Sequence, residues 1–172
     1  MDIIAVCSAR TDSDSDVLYY AVYCNSYADI AKNIIKTFEP LLVSSQKYED
    51  NSDPYGEPHD VNSSSYYDYA KKFDFIRDYV TLREKVKRGQ SITKYDIDKA
   101  NPTNFWVGYS QYLGISLYEI YSLRDARDVV EAHLDSMGVG YSTYSRQTSS
   151  ATSIHELMEI FITYIDQFNR KH

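Results

Sequence analysis

Residues 153 to 168 impose the firmest constraint on what this chain can fold into. Ile154, Leu157, Met158, Phe161, Tyr164, Ile165 and Phe168 recur at three- and four-residue spacing, which gathers them on one side of a helix. Ser153 and Glu156 stand before the stripe as a capping box, the Ser and Glu side chains each serving a backbone N–H of the first turn. A helix with so broad an apolar side requires a second layer to bury it.

The start of the chain offers that layer. Ile3 to Ser8 and Val17 to Cys24 are rich in Ile, Val and Tyr and read as a β-hairpin around the polar run Thr11 to Asp16. Folding that hairpin pairs Ser8 roughly with Val17 and carries Cys24 beyond the start of the first strand. A Cys7–Cys24 disulfide is therefore not expected. Two reduced thiols in apolar strands behave as small inert hydrophobes and fit a reducing, cytoplasmic setting. The opening residues carry an early acid and too short an apolar run for a signal peptide, and no stretch approaches the length of a membrane span.

Further helices follow from the same periodicity. One is expected from Tyr27 to Leu42, with Ile30, Ile34, Phe38 and Leu41 inward, Ser26 and Asp29 as its cap and Pro40 near its end. Another opens at Ser65 and Asp68, runs to Arg88 and stops at Gly89. It carries two stripes. One is Tyr66, Tyr69, Phe73, Ile76 and Val80; the other is Phe75, Tyr79, Leu82 and Val86, about 120° away at about 100° per residue. Such a helix is either wedged in the core or keeps one face for a partner. A short helix is expected over 92–100, and a longer one over 123–137, with Ala126, Val130, Leu134 and Met137 buried and Gly138 as its stop. Val139 to Ser145 reads as a short strand, followed by a Ser- and Thr-rich linker to residue 152. Residues 44–65, with Pro54, Gly56, Pro58, serines and acids, form one long exposed or disordered acidic loop. A strand, a Ser-x-x-Asp cap and an amphipathic helix occur at 17–42 and again at 115–137, an echo that any strand-to-helix junction can produce.

Residues 106–123 resemble a helix-turn-helix, with Ser110 small at the crossing, Gly114 at the turn and Leu113, Ile115, Ile120 and Leu123 at apolar positions. The reading helix would offer Leu117, Tyr118, Glu119 and Tyr121 to DNA, with Arg124 and Arg127 interleaved with Asp125 and Asp128, a poor match to phosphate. The preferred alternative makes 115–121 a strand, with Ser122 and Asp125 capping the next helix. The other motifs are fragments. Asp12 to Asp16 alternates acids like a calcium loop, but Val17 stands where glycine is required. Ser91 to Lys94 matches a penicillin-recognising serine motif without its companions, and Thr93 with Asp96 reads as a helix cap. No His pair has metal spacing, and His133 reads as a hydrogen-bonded core histidine. Arg83, Lys85, Lys87, Arg88, Lys94 and Lys99 cluster where they complement a helix dipole. No catalytic, metal or cofactor residue is assigned.

What distinguishes the chain is tyrosine: 18 in 172 residues, against 6 phenylalanines and one tryptophan. Tyrosine packs its ring while its hydroxyl stays wet, which suits contact surfaces. Tyr19 and Tyr23 share one strand face and Tyr20 the other. Those without a role on a strand face or core stripe, together with the second stripe of the doubly striped helix, are the partner-binding candidates: Tyr48, Tyr55, Tyr67, Phe75, Tyr79, Leu82 and Val86. The net charge of −7 opposes general nucleic-acid binding.

The expected fold is a single α+β domain, a small mostly antiparallel sheet packed by four amphipathic helices. The expected function is non-catalytic protein binding, with homodimerisation through the doubly striped helix as one form. The AT-rich style of composition suits a small viral or phage accessory protein that inhibits a host or defence factor. The alternatives are a DNA-binding regulator using 106–123, and a small-ligand-binding protein or enzyme with an aromatic pocket.

Overall fold

The computed structural model describes residues 1–10, 17–37, 74–100 and 112–171, the side chains of 9–10, 74–80 and 112–113 excepted. Three strands, β1 (Asp2–Arg10), β2 (Leu18–Cys24) and β3 (Tyr112–Ile120), form one antiparallel sheet in the order β2-β1-β3. Among the described residues, six helices accompany it: α1 (27–37), α2 (Asp74–Lys87), α3 (Lys94–Ala100), α4 (Leu123–Ser136), α5 (Tyr141–Ser150) and α6 (Ile154–Lys171). The fold is a small α+β one, as the sequence implies.

The central strand explains the layering. Ile3, Ile4, Ala5, Val6 and Cys7 are all buried, although alternate residues of a strand point to opposite faces. Both faces of β1 are therefore covered. Ile3, Ala5 and Cys7 pack with Ile30, Ala31, Ile34, Leu82, Ile97 and Ala100 from α1, α2 and α3. Ile4 and Val6 pack with Val130, Leu134, Tyr144, Leu157, Phe161 and Ile165 from α4, α5 and α6. The result is three layers, with earlier helices on one face and later ones on the other.

The hairpin register differs from the expected one by two residues. Ser8 pairs with Tyr19 and Ile3 with Cys24, so Cys24 lies within the pairing. Cys7 pairs with Tyr20, four positions from Cys24 along the strand, and both thiols are free. Burial pushes the Cys7 thiol up to about 12 and raises that of Cys24 as well, which keeps both protonated and unreactive.

The caps form where expected. The backbone N–H of Asp29 donates to Ser26 Oγ at 3.2 Å, that of Asp125 to Ser122 Oγ at 3.1 Å and that of Glu156 to Ser153 Oγ at 3.1 Å. At α3 the box is reciprocal: Asp96 N–H donates to Thr93 Oγ1 at 3.3 Å and Thr93 N–H to Asp96 Oδ2 at 2.9 Å. Lys85 adds a 2.8 Å ion pair to Asp96, and these bonds hold the Asp96 carboxyl below its usual range. Gly89 and Gly138 end their helices at φ 68° and 83°, a conformation that suits glycine.

One open choice is decided for the preferred strand, and one expectation is overturned. Residues 112–120 are a strand, not part of a helix-turn-helix, because Ile115 faces the α1–α3 core and Ile120 the α4–α6 core. That removes the reading helix of the DNA-binding alternative. Residues 141–150 are a helix, not a strand and linker. A polar stripe on α4 imposes it. Arg127 Nε donates to the Thr148 carbonyl at 3.0 Å, Thr148 Oγ1 to Glu131 at 2.8 Å, and Tyr144 Oη to Asp135 at 2.6 Å. Residues 127, 131 and 135 are successive i, i+4 neighbours on one helix face, so α4 holds α5 along most of its length. The Arg127 cation also meets the carbonyl end of α5, the favourable sign.

Candidate functional site

Of the sequence-derived contact residues, the structure describes the side chains of Leu82 and Val86. Leu82 is 2 % exposed in the α1–α3 core, and Val86 packs against it partly buried. The part of the second stripe they form is core, not a free face, because α2 packs against α3 and the sheet along that side. Phe75 and Tyr79 lie on α2, with side chains outside the described residues; Tyr48, Tyr55 and Tyr67, like the whole 44–65 segment, lie outside them altogether. The expected dimer through α2 loses Leu82 and Val86 in the same way. His133 is the hydrogen-bonded histidine expected. Its Nε2 lies 2.8 Å from Tyr118 Oη, and burial lowers its pKa below the usual histidine value.

A concave site lies elsewhere, between β2 and α6. Tyr19, Tyr20, Ala21, Val22 and Tyr23 line one side of a groove of about 470 Å³. His155, Glu159, Ile162, Asp166 and Asn169 line the other, with Met158 and Ile165 beneath. The lining identifies the groove's geometry. A groove over one face of a strand touches every second residue; one lined by consecutive residues 19–23 runs along the strand's backbone edge. Among the described residues, β2 is an edge strand, paired with β1 alone.

Backbone polarity follows from one side chain. The backbone N–H of Tyr19 donates to Asn169 Oδ1 at 3.0 Å, and Asn169 Nδ2 donates to the Tyr19 carbonyl at 2.8 Å. Both main-chain groups of Tyr19 thus point away from β1. Antiparallel strands alternate residues that bond inward with residues that bond outward, so Ala21 and Tyr23 also direct N–H and C=O off the edge. Asn169 closes the ladder at Tyr19 and leaves the next two positions facing the groove.

The α6 side is built at helical spacing. Positions 155, 159, 162, 166 and 169 advance by four and three residues, a second stripe beside the core-facing one. Ile162 at its centre is 40 % exposed, between the carboxylates of Glu159 and Asp166. The Tyr23 ring stands edge-on to His155 at 5.3 Å, and Tyr19 does the same to Phe168 at 5.2 Å. These contacts set β2 and α6 antiparallel. Burial, followed by a hydrogen bond to Asp2, pushes the Tyr23 hydroxyl up to about 12.

A second polar cluster sits at the other edge of the sheet. Glu119 accepts from the Tyr27 and Tyr121 hydroxyls, the latter at 2.8 Å; these bonds lower the Glu119 pKa and raise that of Tyr121, while burial first and the Glu119 bond second raise that of Tyr27. Sequence reasoning missed this cluster, the groove, and the exposed Tyr95, Tyr121 and Tyr141. Among the described residues, no three His, Cys, Asp or Glu side chains gather as metal ligands, and no helix is long and apolar enough to cross a membrane. No protein-family model matches the chain, and neither a curated protein nor a solved structure proves similar to it.

Proposed function

We propose that this chain acts by binding another protein through the groove between β2 and α6, without chemistry of its own. The observation that carries this reading is the open edge of β2, where the main-chain groups of Ala21 and Tyr23 face a groove with an apolar floor. An unpaired edge is a template for another chain, and proteins ordinarily blunt it with lysine, proline or a bulge. Residues 18–24 contain none of these. Among the described residues, Asn169 shields the edge at Tyr19. Tyr19 and Tyr23 flank the opening with the amphipathic rings that favour protein contact. The free thiols Cys7 and Cys24 suit a reducing compartment such as the cytoplasm. Occupying a partner's segment is itself a means of inhibition, which fits a small accessory factor.

The test is capture from the native host by the intact chain and by Ile162→Arg, with quantitative mass spectrometry. Ile162 is exposed, so the substitution leaves the core alone. The reading expects at least one host protein enriched by the parent chain and lost with the variant. Equal recovery of every partner by both would refute it.

A further inference from the structure

Resting on that reading, we infer that the groove takes an extended, basic peptide segment that joins the sheet as a fourth strand beside β2. The occupant's backbone is dictated by the edge. Ala21 and Tyr23 each present an N–H and a C=O outward, and an extended chain is the partner that answers an alternating row of donors and acceptors. Asn169 already acts on Tyr19 as such a partner would, with one acceptor and one donor from a single side chain.

The occupant's side chains are dictated by α6. In a ladder, residues directly opposite one another point to the same face. Ala21 and Tyr23 point to the α6 face, since both belong to the α4–α6 core. The incoming residues opposite Tyr23 and Ala21, with the next one on the same face beside the Asn169 clamp, therefore carry the side chains that meet Glu159, Ile162 and Asp166. Glu159 and Asp166 are seven residues apart on α6, about 10 Å. Residues i and i+4 of a strand are about 13 Å apart, a difference that lysine or arginine stems span. The matching sequence is basic, apolar, basic at i, i+2 and i+4, the apolar residue lying on Ile162 and Met158. The chain's net charge of −7 steers such a segment inward.

A second copy of this chain is a poorer occupant. Pairing β2 with its twin about a two-fold would bring Glu159 and Asp166 of one copy against the same acids of the other, which like-charge repulsion opposes.

The experiment selects binders to the intact chain from a displayed library of random dodecapeptides and measures one synthetic winner by fluorescence anisotropy. Enriched sequences should carry Lys or Arg at i and i+4 around an aliphatic i+2. Glu159→Lys with Asp166→Lys should weaken the peptide at least tenfold while the thermal melt of the exposed-site variant stays unchanged. N-methylation of the peptide should weaken binding at least tenfold at alternate amides and less than twofold at those between. Equal loss at every amide, unchanged affinity for the double variant, or no enriched sequence would each overturn the inference. If Ile162→Arg abolishes host capture but the charge reversal does not, the groove is used and its occupant is not a basic strand. If neither affects capture, the functional reading fails too.

Discussion

Tyr144 offers the sharpest check on how the second half of the fold is held. Its side chain is 1 % exposed, and its hydroxyl donates to Asp135 at 2.6 Å. Two substitutions separate the ring from the hydroxyl. Tyr144→Phe keeps the ring and removes one hydrogen bond. Asp135 is exposed and regains water, so the loss is the ordinary net value of about 1 kcal/mol. Tyr144→Ala also removes the aromatic contact with the Leu134, Leu157 and Phe161 core and leaves a cavity, for a total of about 4 kcal/mol. For a chain of this length each kcal/mol moves the Tm by about 2–4 °C, giving about 2–4 °C for Phe and 8–16 °C for Ala. Urea unfolding followed by far-ultraviolet circular dichroism measures both. If residues 141–150 were a surface linker, Tyr144→Ala would cost under about 1 kcal/mol, as surface substitutions do. That result, or equal losses for the two variants, would refute the account of α5.

Three other outcomes follow from the same geometry. Gly138 holds φ at 83° with open space around its α-carbon, so Gly138→Ala should cost about 1–2 kcal/mol from backbone strain alone, read as a lower urea midpoint with an unchanged slope. Cys7 is fully buried with its thiol pushed up to about 12, so Ellman's reagent at pH 8 should leave Cys7 unmodified in the native protein and label both cysteines in urea; prompt native labelling of both would contradict the burial. The Tyr144 hydroxyl is pushed up to about 12, by its bond to Asp135 first and by burial second, and that of Tyr23 to about 12 by burial. The unfolded phenols ionise near 10, so the folded state holds more protons above that pH and stability falls as pH rises from about 10 toward 12; Tyr144→Phe should flatten that decline.

Much of this architecture was legible in the sequence, and the unread part has physical causes. Strands and helices with one apolar face declared themselves, as α4 and α6 did, because period alone decides them. The caps at Ser26, Thr93, Ser122 and Ser153 marked helix starts through a local bond that needs no tertiary context. The α5 helix had no such mark. Tyr-Ser-Thr-Tyr-Ser-Arg-Gln-Thr-Ser-Ser has weak helix propensity, and Gly140 provides no side-chain cap. Its helicity is lent by Arg127, Glu131 and Asp135, residues that on their own read as the solvated face of α4. The three-layer arrangement was written in Ile3 to Cys7 as an unbroken apolar run, the pattern of a strand covered on both sides.

The groove was hidden for a different reason. Its α6 wall is periodic, yet the members are His155, Glu159, Ile162, Asp166 and Asn169, and a search for apolar repeats sees only Ile162 misplaced among polar neighbours. Its other wall is main chain, which carries no sequence signal. What turns the two walls into a site is the position of β2 at the sheet edge, and that was decided when β3 took the opposite side of β1. Had β3 paired with β2, the amides of Ala21 and Tyr23 would be spent within the sheet, and the same residues would form an ordinary interior. The proposed binding role thus rests less on how many tyrosines there are than on which strand edge borders the groove. Tyr19 and Tyr23 matter because they stand on that strand, one beside the Asn169 clamp and the other at the open end.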